Sequence, residues 1–382
     1  MLKSTLRAGR LVAYWLLDRL VLVRPGKKLD TALVVRLDGI GDFVVWLQSG
    51  AGDIVADLRK HHAQVVLVAN QAWASLAADL KVFDEVIAVQ PVRFMRDPLY
   101  RLRVLWRVRG LHARTTIQPR SARVFLQEDE IVRASGSEQR IGAAASTINM
   151  SDRLVRYASG YYSRIIPIDH TSSRHESAKN IDFARGLCGY TGAIIAPACL
   201  NSNEAGLFSS SSYVVIAPGA GWSGRQWPPS KFGELASRLA TRANIRFIIV
   251  GSKFDAGLAK QIQECATDAV FEDMTGKLTL TDTVNLISNA RFVVSNESGP
   301  MHIAVWCGTP VAGLVGGGHF GWFAPYPASF PNAQAFRLAN KPMPCYGCNW
   351  SCVFDVRQGQ AVPCIAEIEV DDVFRATVAL LA

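Results

Sequence analysis

Short, continuous apolar runs alternate with longer mixed stretches in the first half of the chain. Ala32–Leu37, Val65–Ala69 and Glu85–Val89 are such runs and are predicted to be strands, with helices between them. Strands that are apolar on both faces are typical of a parallel sheet that helices cover on both sides. The pattern therefore predicts an α/β domain.

The same alternation begins again in the second half. It follows Thr191–Ser212, a stretch rich in Ser, Asn, Gly and Ala that is predicted to link two domains. The further predicted strands are Tyr213–Ala217, Phe247–Val250, Arg291–Val294 and Pro310–Leu314. Two Rossmann-like halves that face each other are the expected architecture. Neither half contains the glycine pattern of a dinucleotide-binding or ATP-binding loop, which disfavours those chemistries.

The N-terminal segment is basic and amphipathic, with apolar side chains on one helical stripe beside Lys3, Arg7 and Arg10. A helix lying in a lipid headgroup layer has this pattern, and a helix packed on the protein's own N-terminal domain is the alternative. The segment is too short and too charged to span a membrane and lacks a signal-peptide cleavage site. We therefore expect a cytoplasmic protein that contacts the inner membrane peripherally. The stripe is formed by Leu2, Leu6, Ala13, Leu16, Leu20 and Val23.

The formal charge of +9 is concentrated in two stretches. Residues 1–28 hold seven basic side chains against Asp18, and residues 93–123 hold nine arginines against Asp97, so the remainder of the chain is net acidic. This distribution predicts an anionic partner, such as phospholipid or a lipopolysaccharide core. Nucleic acid is not expected, because no nucleic-acid-binding motif accompanies the arginines. A solvated basic face without a partner is the alternative.

A glycine-containing loop, Leu37–Asp42, follows the first predicted strand and opens a helix. Its glycines, Gly39 and Gly41, would let the backbone pass close to a substrate at the carboxyl edge of the sheet. Asp42 would lie at the helix N-terminus, and a carboxylate there is able to accept a proton from a sugar hydroxyl as a general base. The alternatives are that Asp42 caps the helix or that Asp38 and Gly39 form a hairpin turn.

A loop of the second half, Trp222–Pro228, contains one cation in its middle. Arg225 follows a predicted strand here, and its guanidinium would hold a departing diphosphate through two parallel hydrogen bonds. An arginine stacked between Trp222 and Trp227 on the surface is the alternative.

The stretch Val293–Ala304 combines a strand, a turn and a helix. Ser298 is a suitable N-cap, and Pro300 suits the first helical turn. The N–H groups of that turn and the positive end of the helix dipole would bind the phosphates of a donor. Alternatively, Glu297 is a first-turn charge and His302 is a hydrogen-bonded core histidine.

Four of the eight cysteines cluster near the C-terminus, at Cys345, Cys348, Cys352 and Cys364. In a reducing cytoplasm such a cluster indicates a metal more than disulfides, although the second gap and the interleaved Trp350 depart from a zinc ribbon. A structural iron or zinc is therefore predicted. The other cysteines are interpreted as packing residues; they are Cys188, Cys199, Cys265 and Cys307.

Five stretches together resemble glycosyltransferase family 9, the bacterial ADP-heptose–lipopolysaccharide heptosyltransferases, over residues 30–375. They are Val34–Asp42 (VVRLDGIGD), Ser135–Gly142 (SGSEQRIG), His175–Leu187 (HESAKNIDFARGL), Ala217–Phe232 (APGAGWSGRQWPPSKF) and Thr275–Val311, which contains TGKLTL and SNESGPMHIAVWCGTPV. The resemblance implies a GT-B fold, inversion at the anomeric carbon and no metal or other cofactor in catalysis. It also implies an acceptor on the N-terminal domain and a nucleotide-sugar on the C-terminal domain.

By the same resemblance, Asp42 is the catalytic base, and Gly39 and Gly41 belong to the acceptor-side loop. The family commonly carries Asp at the position of Glu297, which leaves the sugar and nucleotide of the donor open. Some protein-modifying heptosyltransferases that resemble this family hold a structural iron through C-terminal cysteines similar to this cluster. The implied donor-binding residues are Arg225, Lys231, Glu297, Ser298, Gly299, Pro300, Met301 and His302.

The expected function is transfer of a sugar, heptose from ADP-heptose by resemblance, to an anionic glycan or glycolipid such as lipopolysaccharide core, or to a protein. The alternatives are a GT-B sugar-nucleotide epimerase and a catalytically silent, membrane-associated sugar-nucleotide-binding protein. The expected divisions are a basic arm at 1–28, an acceptor-binding domain at 29–200, a donor-binding domain with the cysteine cluster at 201–365, and a C-terminal helix at 366–382.

Overall fold

The computed structural model describes residues 13–23, 29–170, 174–197, 213–378 and 380. These residues divide into two compact units. The first contains the described residues up to Gly39, together with Ser49–His170 and Ala178–Ile195. The second contains Ile40–Gln48 and the described residues of Thr171–Ser177 and Ala196–Ala382.

The first unit is built around a parallel sheet of six strands. They are β1 Leu29–Arg36, β2 Gln64–Asn70, β3 Glu85–Val89, β4 Ala113–Gln118, β5 Gln139–Ala143 and β6 Arg164–Ile166, in the order β3-β2-β1-β4-β5-β6. The three strands predicted from continuous apolar runs are confirmed. The core lies between this sheet and the helices, around Leu33, Val35, Val66 and Val68.

Helices flank this sheet, and one of the helices of this part of the chain belongs to the second unit. That helix is α1, Ile40–Leu47. The others are α2 Ala51–His61, α3 Ala74–Asp79, α4 Pro91–Phe94, α5 Pro98–Gly110, α6 Glu128–Ser135, α7 Asp152–Ser159 and α8 Glu176–Cys188. Proline at the first turn and an Asp97 side chain that accepts a hydrogen bond from the Tyr100 N–H fix the start of α5.

The second unit contains another six-stranded parallel sheet, which confirms the repeated α/β pattern. Its strands are β7 Tyr213–Ala217, β8 Arg246–Ile249, β9 Val270–Asp273, β10 Phe292–Asn296, β11 Val311–Leu314 and β12 Phe336–Ala339, in the order β12-β11-β10-β7-β8-β9. Its further helices are α9 Pro229–Ala240, α10 Ala256–Glu264, α11 Leu280–Ser288, α12 Gly299–Cys307, α13 Pro363–Ala366 and α14 Val370–Val378.

The described part of the N-terminal segment packs on the first unit. Residues 13–17 are helical and continue into a 3-10 helix, Asp18–Val23. The Asp18 carboxylate receives two hydrogen bonds from the Arg101 guanidinium, at 2.7 and 2.5 Å, and both side chains are fully buried. Residues 13–23 therefore agree with the alternative interpretation, a helix packed on the protein's own N-terminal domain. Residues 1–12 and 24–28 of the predicted arm lie outside the described residues.

The arginine-rich stretch 93–123 is only partly a basic surface. Arg101 and Arg123 are fully buried in ion pairs with Asp18 and Asp129, and their charges are therefore neutralised inside the unit. The exposed arginines of the stretch are Arg93, Arg96, Arg103, Arg107 and Arg114. The part of the chain that the structure describes contains no helix with the length and hydropathy of a membrane span.

Candidate functional site

Asp42 lies in the first turn of α1, as the loop Leu37–Asp42 predicted. Strand β1 ends at Arg36 and α1 begins at Ile40, so the helix dipole favours a carboxylate at residue 42. The N-terminus of α1 packs on α12 inside the second unit. A Cβ placed on Gly41 would lie 2.6 Å from His302 Cδ2, and one on Gly299 would lie 3.0 Å from Ile40 Cγ2. Only glycine permits this approach at residue 41.

The turn between β10 and α12 leaves a polar side chain without a partner. Ser298 occupies the N-cap position and Pro300 the first turn of α12, as predicted. The Ser298 side chain, however, makes no capping hydrogen bond, and its Oγ is buried without a hydrogen-bond partner in the described residues. A buried hydroxyl in this state is costly unless a ligand or water satisfies it.

Glu297 lies just before this turn and is 3% exposed. Both carboxylate oxygens lack a hydrogen bond among the described residues, and the nearest cation, Arg225 Nη2, is 3.8 Å from Oε2. Burial raises the pKa of Glu297 to about 7, although Arg225 acts in the opposite direction. Glu297 precedes the helix, so the alternative of a first-turn charge is wrong.

Arg225 reaches this turn from the 3-10 turn Ser223–Arg225. Its Nη2 donates to the Glu297 carbonyl oxygen at 2.6 Å, and its Cζ lies 4.8 Å from the centre of the Trp350 ring. Arg225 Nε is buried and has no hydrogen-bond partner in the part of the chain that the structure describes. The alternative, in which Arg225 stacks between the two tryptophans of its own loop, is therefore wrong, because its guanidinium lies over the Trp350 ring. Trp227 is instead fully buried and donates its Nε1–H to the carbonyl of Ile368.

His302 is buried behind the turn and is hydrogen-bonded. Its Nδ1 is hydrogen-bonded to the Tyr326 hydroxyl, and burial lowers the pKa of His302 to about 3, assisted by His175 and Arg225. His302 is therefore neutral at physiological pH and matches the alternative of a satisfied core histidine. Nothing in the sequence indicated Tyr326, because this contact depends on how the loop after β11 folds back onto α12.

Two of the predicted donor residues direct their side chains elsewhere. Lys231 Nζ donates to the carbonyl of Ile368 at 2.9 Å and lies 3.5 Å from a Glu369 carboxylate oxygen. Met301 is fully buried, and a Cβ on Gly313 would lie 2.8 Å from its sulfur, so this side chain fills the core beside β11. Arg225, Glu297 and Ser298 are the side chains that the structure brings together.

The four clustered cysteines line one small cavity of about 10 Å³, roughly the space for one water molecule. Burial raises the pKa of Cys364, the Gly317 N–H lowers it, and the other three cysteines raise it. Four thiols are a donor set that suits zinc or iron. Among the described residues, however, no group of three or more His, Cys, Asp or Glu is gathered closely enough to hold a metal. The four are Cys345, Cys348, Cys352 and Cys364.

The remaining cysteines differ in exposure. Cys188 and Cys307 are half-buried, and burial raises the pKa of Cys307 to about 12. Cys265 is exposed, so the interpretation of this residue as a packing residue is wrong. Cys199 lies outside the described residues.

The first unit has a separate cavity of about 620 Å³ where β1 ends. Gly39 lies in its wall beside Asp38, and the rest of the wall combines amide side chains with apolar ones such as Pro91 and Val92. Arg120 also lines it, but this cation is 2.6 Å from Glu128 and 3.9 Å from Asp38. The cavity therefore has a mixed wall of polar and apolar side chains and is not strongly cationic. Its amide side chains are those of Asn70, Gln71, Gln90 and Gln127.

Comparison with known proteins gives a consistent family. A sequence model of glycosyltransferase family 9 (heptosyltransferase) matches residues 156–352. Lipooligosaccharide heptosyltransferase 2 of Haemophilus influenzae is 29% identical over 117 residues, which are 30% of this chain and 34% of that protein. Lipopolysaccharide heptosyltransferase 2 of Escherichia coli is 27% identical over 118 residues, with the same coverage. The chain thus matches about a third of the length of these relatives.

Solved structures share the fold. A family 9 glycosyl transferase of Veillonella parvula has a TM-score of 0.66 at 16% identity, over 92% of this chain and 97% of that one. ADP-heptose lps heptosyltransferase II of E. coli has a TM-score of 0.63 at 17% identity, over 92% and 98%. The dodecameric iron-containing heptosyltransferase TibC, in complex with ADP-D-β-D-heptose, has a TM-score of 0.50 at 15% identity, over 94% and 78%. The predicted GT-B fold is thereby confirmed.

Proposed function

Because this chain belongs to glycosyltransferase family 9 (heptosyltransferase), we propose that it transfers a heptose from ADP-heptose to a lipopolysaccharide or lipooligosaccharide core. The two matched relatives are a lipooligosaccharide and a lipopolysaccharide heptosyltransferase, and one structural neighbour is an ADP-heptose heptosyltransferase. A protein is the alternative acceptor, and the transfer assay includes one as a second arm.

The observation that carries the donor assignment is the group of unsatisfied polar atoms after β10. Arg225 Nε, the Glu297 carboxylate and Ser298 Oγ are buried without hydrogen-bond partners in the described residues. They lie at the N-terminus of α12, where first-turn N–H groups have no acceptor within the helix and the dipole favours an anion. A nucleoside diphosphate satisfies these donors, and the hydroxyls of its sugar or ribose satisfy the carboxylate. Lys231 is left out of this set, since its ammonium is already held by Ile368 and Glu369.

The mechanism that we propose is one direct displacement. Asp42 takes the proton of an acceptor hydroxyl as that oxygen forms a bond to the anomeric carbon. The bond between the anomeric carbon and the phosphate oxygen breaks at the same time, and its electron pair leaves with ADP. Attack opposite the departing group inverts the anomeric carbon. Arg225 and the first turn of α12 stabilise the charge that develops on the diphosphate. These groups suffice for the reaction, so no catalytic metal is invoked.

The acceptor binds, in this proposal, at the cavity of the first unit where β1 ends. Its glutamine side chains suit a hydroxyl-rich glycan, because each amide is both a donor and an acceptor of hydrogen bonds; the Asn70 amide is already bonded to Leu37, Asp38 and Ala72. Gly39 supports the assignment, since a residue without a side chain leaves the cavity wall open to a sugar ring.

The test is a transfer assay with purified protein. ADP-heptose is incubated with a heptose-deficient lipooligosaccharide, with a protein acceptor or with no acceptor, and ADP release and acceptor mass are measured. We expect ADP release that depends on the lipooligosaccharide and a mass increase of one heptose. GDP-, UDP- and dTDP-sugars serve as donor controls. Acceptor-independent interconversion of the sugar would instead support an epimerase, and binding without turnover would support a silent binding protein.

We further propose that the clustered cysteines hold one structural iron or zinc. The four thiols surround a single cavity, and the Gly317 N–H donates to Cys364 Sγ at 3.3 Å, as amides do to metal-bound thiolates. Binding would have to draw the sulfurs closer together than they stand here. The iron-containing heptosyltransferase of the same fold supports a metal in this family.

Peripheral contact with the cytoplasmic face of the inner membrane is the third part of the proposal. On α5, Leu99, Arg103 and Trp106 follow one another at helical spacing and are exposed, Leu99 by 66% and Trp106 by 40%. Arg96 precedes this stripe by three residues. Neither Arg96 nor Arg103 has an ion-pair partner among the described residues. Exposed apolar side chains interleaved with uncompensated arginines suit an anionic lipid surface.

A further inference from the structure

The cysteine-rich loop reaches the donor site through one side chain. Trp350 lies between Cys348 and Cys352, and its ring lines the cysteine cavity. The same ring lies 4.8 Å from the Arg225 guanidinium carbon and meets the Trp222 ring edge-on at 6.3 Å between centroids. Nothing in the sequence pattern links this loop, beyond the last strand of the sheet, to Arg225.

The backbone around Trp350 is held in a special conformation. Asn349 and Trp350 have φ of 49° and 59°, the left-handed region that non-glycine residues seldom occupy. The Asn349 N–H donates to the Gly318 carbonyl at 3.0 Å, which fixes this turn to the segment after β11. Strained backbone of this kind persists only where its surroundings enforce it, and it is concentrated at functional sites.

Glycines after β11 make room for the ring. A Cβ on Gly318 would lie 2.2 Å from Trp350 Cδ2, and one on Gly316 would lie 2.8 Å from Trp350 Cη2. Any side chain at either position would displace the indole from its place under Arg225. The two glycines and the left-handed turn therefore fix the position of the Trp350 ring.

This arrangement restrains a long, flexible side chain at two points. One is the hydrogen bond from Arg225 Nη2 to the Glu297 carbonyl at 2.6 Å, and the other is the face of the Trp350 ring. Arg225 Nε has no hydrogen-bond partner among the described residues, so its N–H is available to a ligand. A cation whose rotamer is fixed before binding loses less conformational entropy when it meets an anion.

We propose that Trp350 is a positioning residue of the donor site, which holds Arg225 ready for the diphosphate of the nucleotide-sugar. This inference rests on the proposed function, because the diphosphate is the ligand that it names. The cysteine-rich loop is then part of the donor site. The conformation of this loop is coupled to the affinity for the donor, because the loop carries Trp350.

The experiment measures ADP binding by calorimetry to the full chain and to Trp350→Leu, Trp350→Phe and Arg225→Leu variants and the double variant W350L/R225L. We expect W350L to weaken ADP binding about 5- to 30-fold, as loss of a partly desolvated cation–π contact implies. W350F keeps an aromatic face and should bind within about 3-fold of the wild type. Phe254→Leu is the matched control, since Lys253 lies over this exposed ring in the same unit; it should bind normally.

The double variant separates positioning from a general structural role. If Trp350 acts through Arg225, W350L adds little to the loss already caused by R225L. An equal further loss in the R225L background, or normal ADP binding by W350L, would overturn the inference while leaving the proposed function intact. If the wild type binds GDP, UDP or dTDP in place of ADP, the same cycle is run with that nucleotide. Failure to bind any of the four overturns both proposals.

Discussion

The α-carbon of Gly41 faces the imidazole of His302, so that a β-carbon at residue 41 would lie 2.6 Å from His302 Cδ2 and 3.1 Å from Nε2. The ring cannot turn away freely, because Tyr326 holds its Nδ1. This contact fixes the start of α1, which carries Asp42, against the helix whose N-terminus is proposed to bind the donor. The proposed base and the proposed donor-binding turn are therefore parts of one packed structure within the second unit.

Gly41→Ala tests this contact. Since no side chain fits without displacing His302 or separating the two helices, we expect a loss of about 1–3 kcal/mol in the free energy of unfolding and a clear loss of transfer activity. Thermal or denaturant unfolding and the transfer assay measure the two effects. Gly257→Ala is the matched control, because nothing lies within 4 Å of a Cβ on this glycine of α10; it should be neutral or slightly stabilising. Wild-type stability and activity of G41A would contradict the packing argument.

Asp42→Asn tests the proposed base. The amide keeps the size of the side chain but does not accept the acceptor's proton, so the transfer rate should fall by roughly 10²–10⁴-fold while ADP affinity stays the same. Asp152→Asn removes a first-turn carboxylate from α7 in the same way and serves as the control. Near wild-type turnover by D42N would remove Asp42 from the mechanism.

The elements that the sequence predicts well are those whose apolar residues are continuous. Tyr213–Ala217 is a strand with the predicted bounds, because all five residues are buried in the middle of a sheet. Strand β4, in contrast, reads ARTTIQ, and β9 reads VFED. A search for continuous apolar runs does not predict these two strands, because they contain several polar residues, although each pairs with its neighbours in a sheet.

The candidate site was predictable only where it is local in sequence. The positions of Asp42 and Ser298 follow from a strand, a turn and a helix in succession, and both are confirmed as helix-start positions. The stacking of Arg225 on Trp350 joins two loops far apart in the chain, so no local signal announces it. The cysteine cluster lies beyond the last strand in the sequence, yet this contact brings its loop against Arg225.

Glu297→Gln tests the buried carboxylate. Between pH 4.5 and about 7, the folded protein keeps a proton on Glu297 that the unfolded chain has released, so this group makes folding less favourable as the pH rises. Gln lacks this effect. The stability of E297Q relative to the wild type should therefore be greater at pH 8 than at pH 5, by on the order of 2 kcal/mol.

Unfolding by urea at the two pH values measures this difference. Glu272→Gln, which alters an exposed carboxylate of the same unit, is the control. E297Q should also bind the donor more weakly, because its amide replaces an acceptor of two hydroxyl hydrogen bonds. An E297Q stability difference that does not change with pH would mean that Glu297 is not a costly buried charge.

The exposed stripe of α5 predicts binding to anionic membranes. Leu99→Ser/Trp106→Ser should reduce binding to phosphatidylglycerol vesicles, and added salt should weaken binding of the wild type through its arginines. Phe254→Ser changes an exposed aromatic residue of the second unit and should leave binding unchanged. Deletion of residues 1–12 tests the arm separately; a longer deletion would also remove Asp18, the buried partner of Arg101. Unchanged vesicle binding by both variants would exclude these two surfaces.

Cys345→Ser/Cys348→Ser tests the metal and its link to the donor site. Purified wild-type protein should contain about one equivalent of iron or zinc by elemental analysis, since thiolate ligands act together and their binding free energy is coupled to folding. The double variant should lose the metal and unfold at a lower temperature. It should also bind ADP more weakly, because Trp350 lies in the same loop and holds Arg225.

Cys265→Ser, at an exposed thiol outside the cavity, is the control and should keep metal, stability and affinity. A metal-free wild-type protein prepared anaerobically without chelator, together with unchanged stability of the double variant, would make these cysteines ordinary packing residues. Normal ADP affinity of a metal-free, folded double variant would show that Trp350 keeps its place without them.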